Sequence, residues 1–146
     1  MKKDFRTAAV MFTVFGLIAS CDTKNYVKMA EQSTLKYYKW LKSNDVDSIL
    51  TLIAPESFVV SDTMIVRKYI NMRRMLGPIV SIDLAEANKR VNVQNGVKMI
   101  DVVLVYKVKY SNDTLYKEKF SFRSDEPFTP KFYGVNYSEW DEAKSE

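Results

Sequence analysis

The hydrophobic pattern changes period once, at Gly77-Pro78, and this switch limits what the chain can become. Apolar residues recur every three to four positions before it and every second position after it. Helix-period chain followed by strand-period chain predicts an α+β fold. N-terminal helices should pack on one face of a curved, cone-like antiparallel sheet of about four strands.

Three helices are expected. Over residues 26–42, Ala30, Thr34, Tyr37, Tyr38 and Leu41 form a stripe that leaves Lys28, Lys36, Lys39 and Lys42 outside it. Asp45 can cap a short second helix with Val46, Ile49, Leu50 and Ile53 on one side, stopped by Pro55. Ser61-Asp62-Thr63 offers caps for a third, over 64–76, with Ile65, Tyr69, Met72 and Leu76 as its stripe. Arg67, Lys68, Arg73 and Arg74 on this helix read as a solvated face, or, beside a membrane, as a contact for anionic headgroups.

The strands are set by parity. Asn95-Gly96 predicts a type I′ hairpin into a long strand over 97–110. A three-residue loop at 111–113 pairs Val108 with Tyr116, Leu104 with Phe120 and Val102 with Phe122. A two-residue loop would oppose Val108 with Lys117 and is rejected. A last strand over 132–137 should carry Tyr133, Val135 and Tyr137 on one side. The first strand contradicts itself: Val80, Ile82 and Leu84 are apolar at even positions, Val91 and Val93 at odd ones. One extra residue restores the phase, so a β-bulge is expected between Glu86 and Arg90, with Val80, Ile82 and Leu84 facing the helices.

Residues 1–20 read as a secretory signal. Lys2, Lys3 and Arg6 precede a short apolar run, and Leu17-Ile18-Ala19-Ser20-Cys21 resembles a bacterial lipobox. The expected organisation is a signal peptide at 1–20, a lipidated cysteine and short tether at 21–25, a single domain at 26–137 and an acidic tail at 138–146. Acylation of Cys21, by diacylglycerol on the thiol and a palmitate-class chain on the new amino terminus, would anchor the chain in the bacterial cell envelope. The leaflet is left open. Setting the signal aside removes three bases and one acid, so the net charge of +4 falls to about +2. That argues against a nucleic-acid partner.

The order of elements resembles the nuclear-transport-factor-like superfamily, the cystatin-like cone that includes ketosteroid isomerase. It is similar in particular to small bacterial lipoproteins of that superfamily with no established activity. The resemblance rests on the lipobox at Cys21, Trp40-Leu41-Lys42-Ser43-Asn44-Asp45-Val46, and Leu76-Gly77-Pro78. It rests also on Val103-Leu104-Val105-Tyr106-Lys107-Val108-Lys109-Tyr110 and on Tyr133-Gly134-Val135. It implies a helix-filled cone over most of the domain.

Chemistry is sparse. The chain has no histidine and one cysteine, which excludes His-dependent catalysis and an intrachain disulfide. No phosphate-binding glycine motif occurs, no metal-ligand spacing occurs, and no cofactor is expected. The one candidate acid/base is Glu118, on the apolar face of its strand with Tyr106 opposite and Tyr116 beside it. The bland alternative places it at a wet rim. Asp101, opposite Arg90, reads as half of a cross-strand ion pair. The leading expectation is a non-enzymatic envelope lipoprotein that binds a small ligand or a protein. The alternatives are an enzyme acting through Glu118 on a hydrophobic small molecule, and a structural subunit forming a homodimer through its outer sheet face.

Overall fold

The computed structural model describes residues 11–57 and 63–141. Lys2, Lys3 and Arg6, the expected cap at Ser61-Asp62, and the tail beyond Asp141 lie outside the described residues, as does the side chain of Cys21. Three helices, α1 (Met11–Ser43), α2 (Val46–Thr51) and α3 (Thr63–Arg74), precede four strands: β1 (Ile79–Gln94), β2 (Val97–Tyr110), β3 (Leu115–Asp125) and β4 (Phe132–Glu139). The strands form one curved, unclosed antiparallel sheet in chain order, with the helices against its concave face. This is the α+β architecture expected from the switch at Gly77-Pro78.

Helix α1 buries the stripe Ala30, Thr34, Tyr37, Tyr38 and Leu41, preceded by Tyr26, as its spacing predicts. It also extends upstream: residues 22–25, read as a tether, continue the helix backbone. Asp45 caps α2, its carboxylate accepting from the Ser48 amide at 3.1 Å. Helix α2 ends before Pro55, because Leu52 and Ala54 turn their backbone onto β4: the Phe132 amide donates to Leu52 and the Ala54 amide to Phe132.

Helix α3 departs from expectation in its facing. Val66, Ile70 and Arg73 are buried and Tyr69 and Leu76 pack half-buried against the core, whereas Met72 is exposed and the Ile65 side chain lies outside the described residues. The buried stripe is turned about one residue from the predicted one, and the turn carries Arg73 into the core.

The sheet follows the parity argument. Val108 pairs with Tyr116, Leu104 with Phe120 and Val102 with Phe122. The Tyr110 amide donates to the Thr114 carbonyl at 3.2 Å, so the turn between β2 and β3 is the three residues 111–113, with Asp113 in the left-handed region at φ 62°. On β1 the register slips between Leu84 and Glu86, so Ala85 is the extra residue, just before the segment 86–90 where the bulge was expected. The phase is restored: Ile82 and Leu84 share a face with Val108 and Tyr106, and Val91 with Ile100. Of Ile82 and Leu84, however, only Ile82 packs on the core, and Leu84 stays exposed, against expectation.

A second slip at Val80 corrects the rest of that expectation. Val80 is bulged out and exposed, and Ile79 takes its place opposite Tyr110. Similarly, a slip opposite Ser121/Phe122 makes Tyr133 the extra residue on β4. Phe132, Val135 and Tyr137 then share the inner face, while Arg123 lies over the Tyr133 ring. Strand β4 continues two residues past Tyr137, into the segment read as tail.

Candidate functional site

Parity puts Glu118 on the inner face of β3 directly opposite Tyr106, as expected. The rest of its environment corrects the rim reading. Glu118 is 0% exposed, and Arg73, turned inward on α3, pairs with its Oε1. The Tyr110 hydroxyl donates to Oε1 at 2.7 Å and the Tyr38 hydroxyl to Oε2 at 3.0 Å. Helix α1, helix α3 and two strands thus converge on one carboxylate.

The phenols that meet Glu118 are Tyr38 and Tyr110. Tyr106 packs edge-on against the Tyr38 and Phe120 rings, and Tyr116 packs edge-on against Tyr110. Both lie in the wall around the carboxylate without bonding it among the hydrogen bonds described. A carboxylate with one oxygen shared by a guanidinium and a phenol, and the other taken by a second phenol, is held as a structural anion. It has little spare lone-pair capacity to accept a substrate proton.

The guanidinium is equally enclosed. It lies between the Tyr110 and Tyr137 rings, 5.2 Å and 4.9 Å from their centroids. Its Nη2 also meets the Tyr110 hydroxyl, whereas its Nε and Nη1 make no hydrogen bond. The hydroxyls of two further phenols, Tyr37 and Tyr69, are buried beside them with no hydrogen bond of good geometry, although Arg73 and Tyr69 both lie close enough to the Tyr37 hydroxyl to stabilise its charged form. Burial pushes the Tyr37 hydroxyl up to about 12, while the nearby Arg73 charge pulls it down. Burial raises Tyr38 and Tyr69 further still. Tyr106 and Tyr110 are each pushed up to about 12, again mainly by burial.

Tyr37 and Tyr69 border a partly open cavity of about 130 Å³, lined otherwise by side chains such as Ile49, Ile53, Val66 and Phe132. A cavity of about 150 Å³ with apolar walls can admit a molecule the size of benzene. A second, more open cavity of about 430 Å³ lies one turn further along α1, between Lys42, Arg73, Arg74, Pro78 and Tyr110. Glu118 lines neither.

Asp101 is opposite Arg90 as the register predicts, but its ion pair is with the other neighbour: Arg123 Nε lies 2.6 Å from its carboxylate. On the outer sheet face Val105 is buried and Val103 half-buried, so no open valine patch is formed there. No group of metal-ligating side chains occurs among the described residues.

No family model, curated protein or solved structure matches the chain. Sequence reasoning found Glu118 but missed Arg73, Tyr37, Tyr38, Tyr69 and Tyr110. The available signal was spacing: Val66, Ile70 and Arg73 recur at helical intervals, as do Tyr69 and Arg73.

Proposed function

We propose that the chain is a lipid-anchored, non-enzymatic binding module of the bacterial envelope, taking a small molecule into the cavity beside Tyr37 and Tyr69. The observation that carries this is the pair of buried phenol hydroxyls, Tyr37 and Tyr69, that make no well-formed hydrogen bond and border a largely apolar cavity. Buried donors are rarely left unpaired, and here they would reward a ligand with an acceptor atom. The ligand class that fits is a compact apolar molecule with one neutral acceptor, such as a carbonyl. Neutral is preferred because Arg73 already has its counter-charge in Glu118.

Two competing readings lose support. An acid/base role for Glu118 needs an accessible, unsaturated carboxylate, and this one borders neither cavity. Dimerisation through the outer sheet face needs exposed apolar area, and Val105 is buried. The anchor reading and the likeness to cone-shaped lipoproteins rest on the sequence motifs alone.

The test is a thermal-shift and NMR titration with cyclohexanone as the probe and methylcyclohexane as its acceptor-free counterpart. Cyclohexanone should shift resonances around Tyr37 and Tyr69 and bind more tightly than the hydrocarbon. Tyr37→Phe with Tyr69→Phe should abolish that preference. Equal binding of both probes, or shifts confined to the outer face, would sink the reading.

A further inference from the structure

We propose that the tip of the β1–β2 hairpin is a membrane-contact element, with Val93 and Val97 entering the interface of the bilayer that holds the acyl chains of Cys21. The inference rests on the anchor reading above and extends it to the orientation of the domain.

Two landmarks align α1 with β2. Near one end the Tyr26 hydroxyl donates to Glu126 at 3.0 Å and receives Lys98 Nζ at 3.4 Å, so Tyr26 marks the level of the hairpin base. At the other end Leu41 and Tyr110 border one cavity. Helix and strand therefore run the same way, and the backbone upstream of Tyr26 leaves the domain on the side of Asn95-Gly96.

The reach is short on both elements. Cys21 lies five residues before Tyr26 on a continuous helix, about 7–8 Å along its axis. The Asn95-Gly96 turn lies two to three residues beyond Lys98, about 7–10 Å along an extended strand. An anchor at Cys21 leaves no linker, so this end of the domain must rest on the headgroups, and the hairpin tip arrives there with it.

The tip has the character such a position requires. Val93 is 71% exposed and Val97 49% exposed. They lie on opposite faces of the hairpin, since Val93 pairs with Lys98 and Val97 with Gln94. A ribbon that carries one exposed valine on each face, beside polar partners, has nothing in its own fold to bury those two side chains against. A lipid surface surrounds it from both sides. Charge contributes less: Lys98 is paired with Glu126 at 3.3 Å, and Lys89 and Lys98 both lie over the Tyr26 ring. The contact is therefore expected in zwitterionic as well as anionic membranes.

The experiment uses the full chain, lipidated in a bacterial host and reconstituted into phosphatidylethanolamine vesicles with or without phosphatidylglycerol. Val93→Cys, Val97→Cys and Val80→Cys are labelled singly with a polarity-sensitive fluorophore. Acylation blocks Cys21, the chain's one native thiol. Val80 is the control, since it is similarly exposed, at 63%, but sits at the opposite end of β1, about 40 Å away. Spin-labelled lipid should quench the labels at 93 and 97 several-fold more than the label at 80, in both vesicle types. Equal quenching at all three sites, or none at 93 and 97, overturns the proposal. Mass spectrometry of the N-terminal peptide separates the two ideas. An unacylated Cys21 sinks the anchor reading and this proposal with it, whereas an acylated Cys21 with an unquenched tip overturns the proposal alone.

Discussion

Arg73 of α3 and Glu118 of β3 form an ion pair whose two side chains are wholly withdrawn from solvent. Their joint burial is tolerable because each has the other, and because Tyr38 and Tyr110 complete the hydrogen bonding of the carboxylate.

Removing one charge should therefore be costly. Glu118→Gln leaves the guanidinium buried without a counter-charge, for a loss of about 3–5 kcal/mol. The double variant Arg73→Met/Glu118→Leu replaces both charges by apolar groups and should lose less than either single change. Urea unfolding measures all three. A Glu118→Gln cost below about 1 kcal/mol would show that the pair does not hold α3 to the sheet.

The buried phenols predict alkaline sensitivity. In the unfolded chain tyrosine titrates near about 10, whereas in the fold burial pushes Tyr37, Tyr106 and Tyr110 up to about 12 and raises Tyr38 and Tyr69 as well. A raised acid binds more protons in the folded state. Its stabilisation is complete below the unfolded value and is lost as pH rises from about 10 through about 12. Stability should be flat in this respect to pH 9 and fall steeply above 10. Tyrosinate absorbance should show a late-titrating class that becomes accessible on unfolding. Simultaneous titration of all nine tyrosines near 10 would contradict the burial.

Ala85 is exposed and is the extra residue that lets Ile82 and Val91 share one face although they differ in parity. Ala85→Ser should change stability by less than about 0.5 kcal/mol. Deleting Ala85 brings Leu84 and Glu86 opposite the consecutive residues Tyr106 and Val105, so the strand pairs regularly and Ile82 keeps its face. Hydrogen exchange along residues 79–84 should then be unchanged or slower. Faster exchange there would show that the bend at the bulge, and not the phase alone, seats this end of β1.

Gly77 and Gly96 both have positive φ, 87° and 78°. A Cβ at Gly77 would crowd only the Ser111 hydroxyl, which can rotate aside, and one at Gly96 would meet nothing. Gly77→Ala and Gly96→Ala should therefore cost similar amounts, about 1 kcal/mol each from the backbone alone. Thermal or urea unfolding compares them. A markedly larger loss at Gly77 would show that the Ser111 side chain is held in place.

The sheet was the most legible part of the sequence because parity admits few solutions. The loop at 111–113, the pairing of Tyr106 with Glu118 and the need for a bulge in β1 all follow from which residues must share a face. The slips at Val80 and Tyr133 were not legible, since each concerns a single residue near a strand end, where no long pattern forces the phase. Arg73 was hidden by a sound general rule. Counting it as solvated assigned the α3 stripe to Ile65, Tyr69 and Met72, whereas its burial assigns the stripe to Val66 and Ile70. One charged residue thus decided the facing of a helix. The phenols bonded to Glu118 followed from that facing and from the seat of α1, which sheet parity alone does not specify.

The chain-order arrangement of the strands has a kinetic consequence. Each strand pairing closes only a short turn, so the sheet can zip together at small entropic cost. The Tyr38–Glu118 bond joins residues 80 apart and needs α1 seated. Glu118 gives up its water only when the helices close over it. We expect docking, rather than strand pairing, to set the folding rate. A newly emerged chain would pass through a state with a finished ribbon of strands and a wet, unclosed interior, and it is in that state that a helper protein or a stray strand would find it.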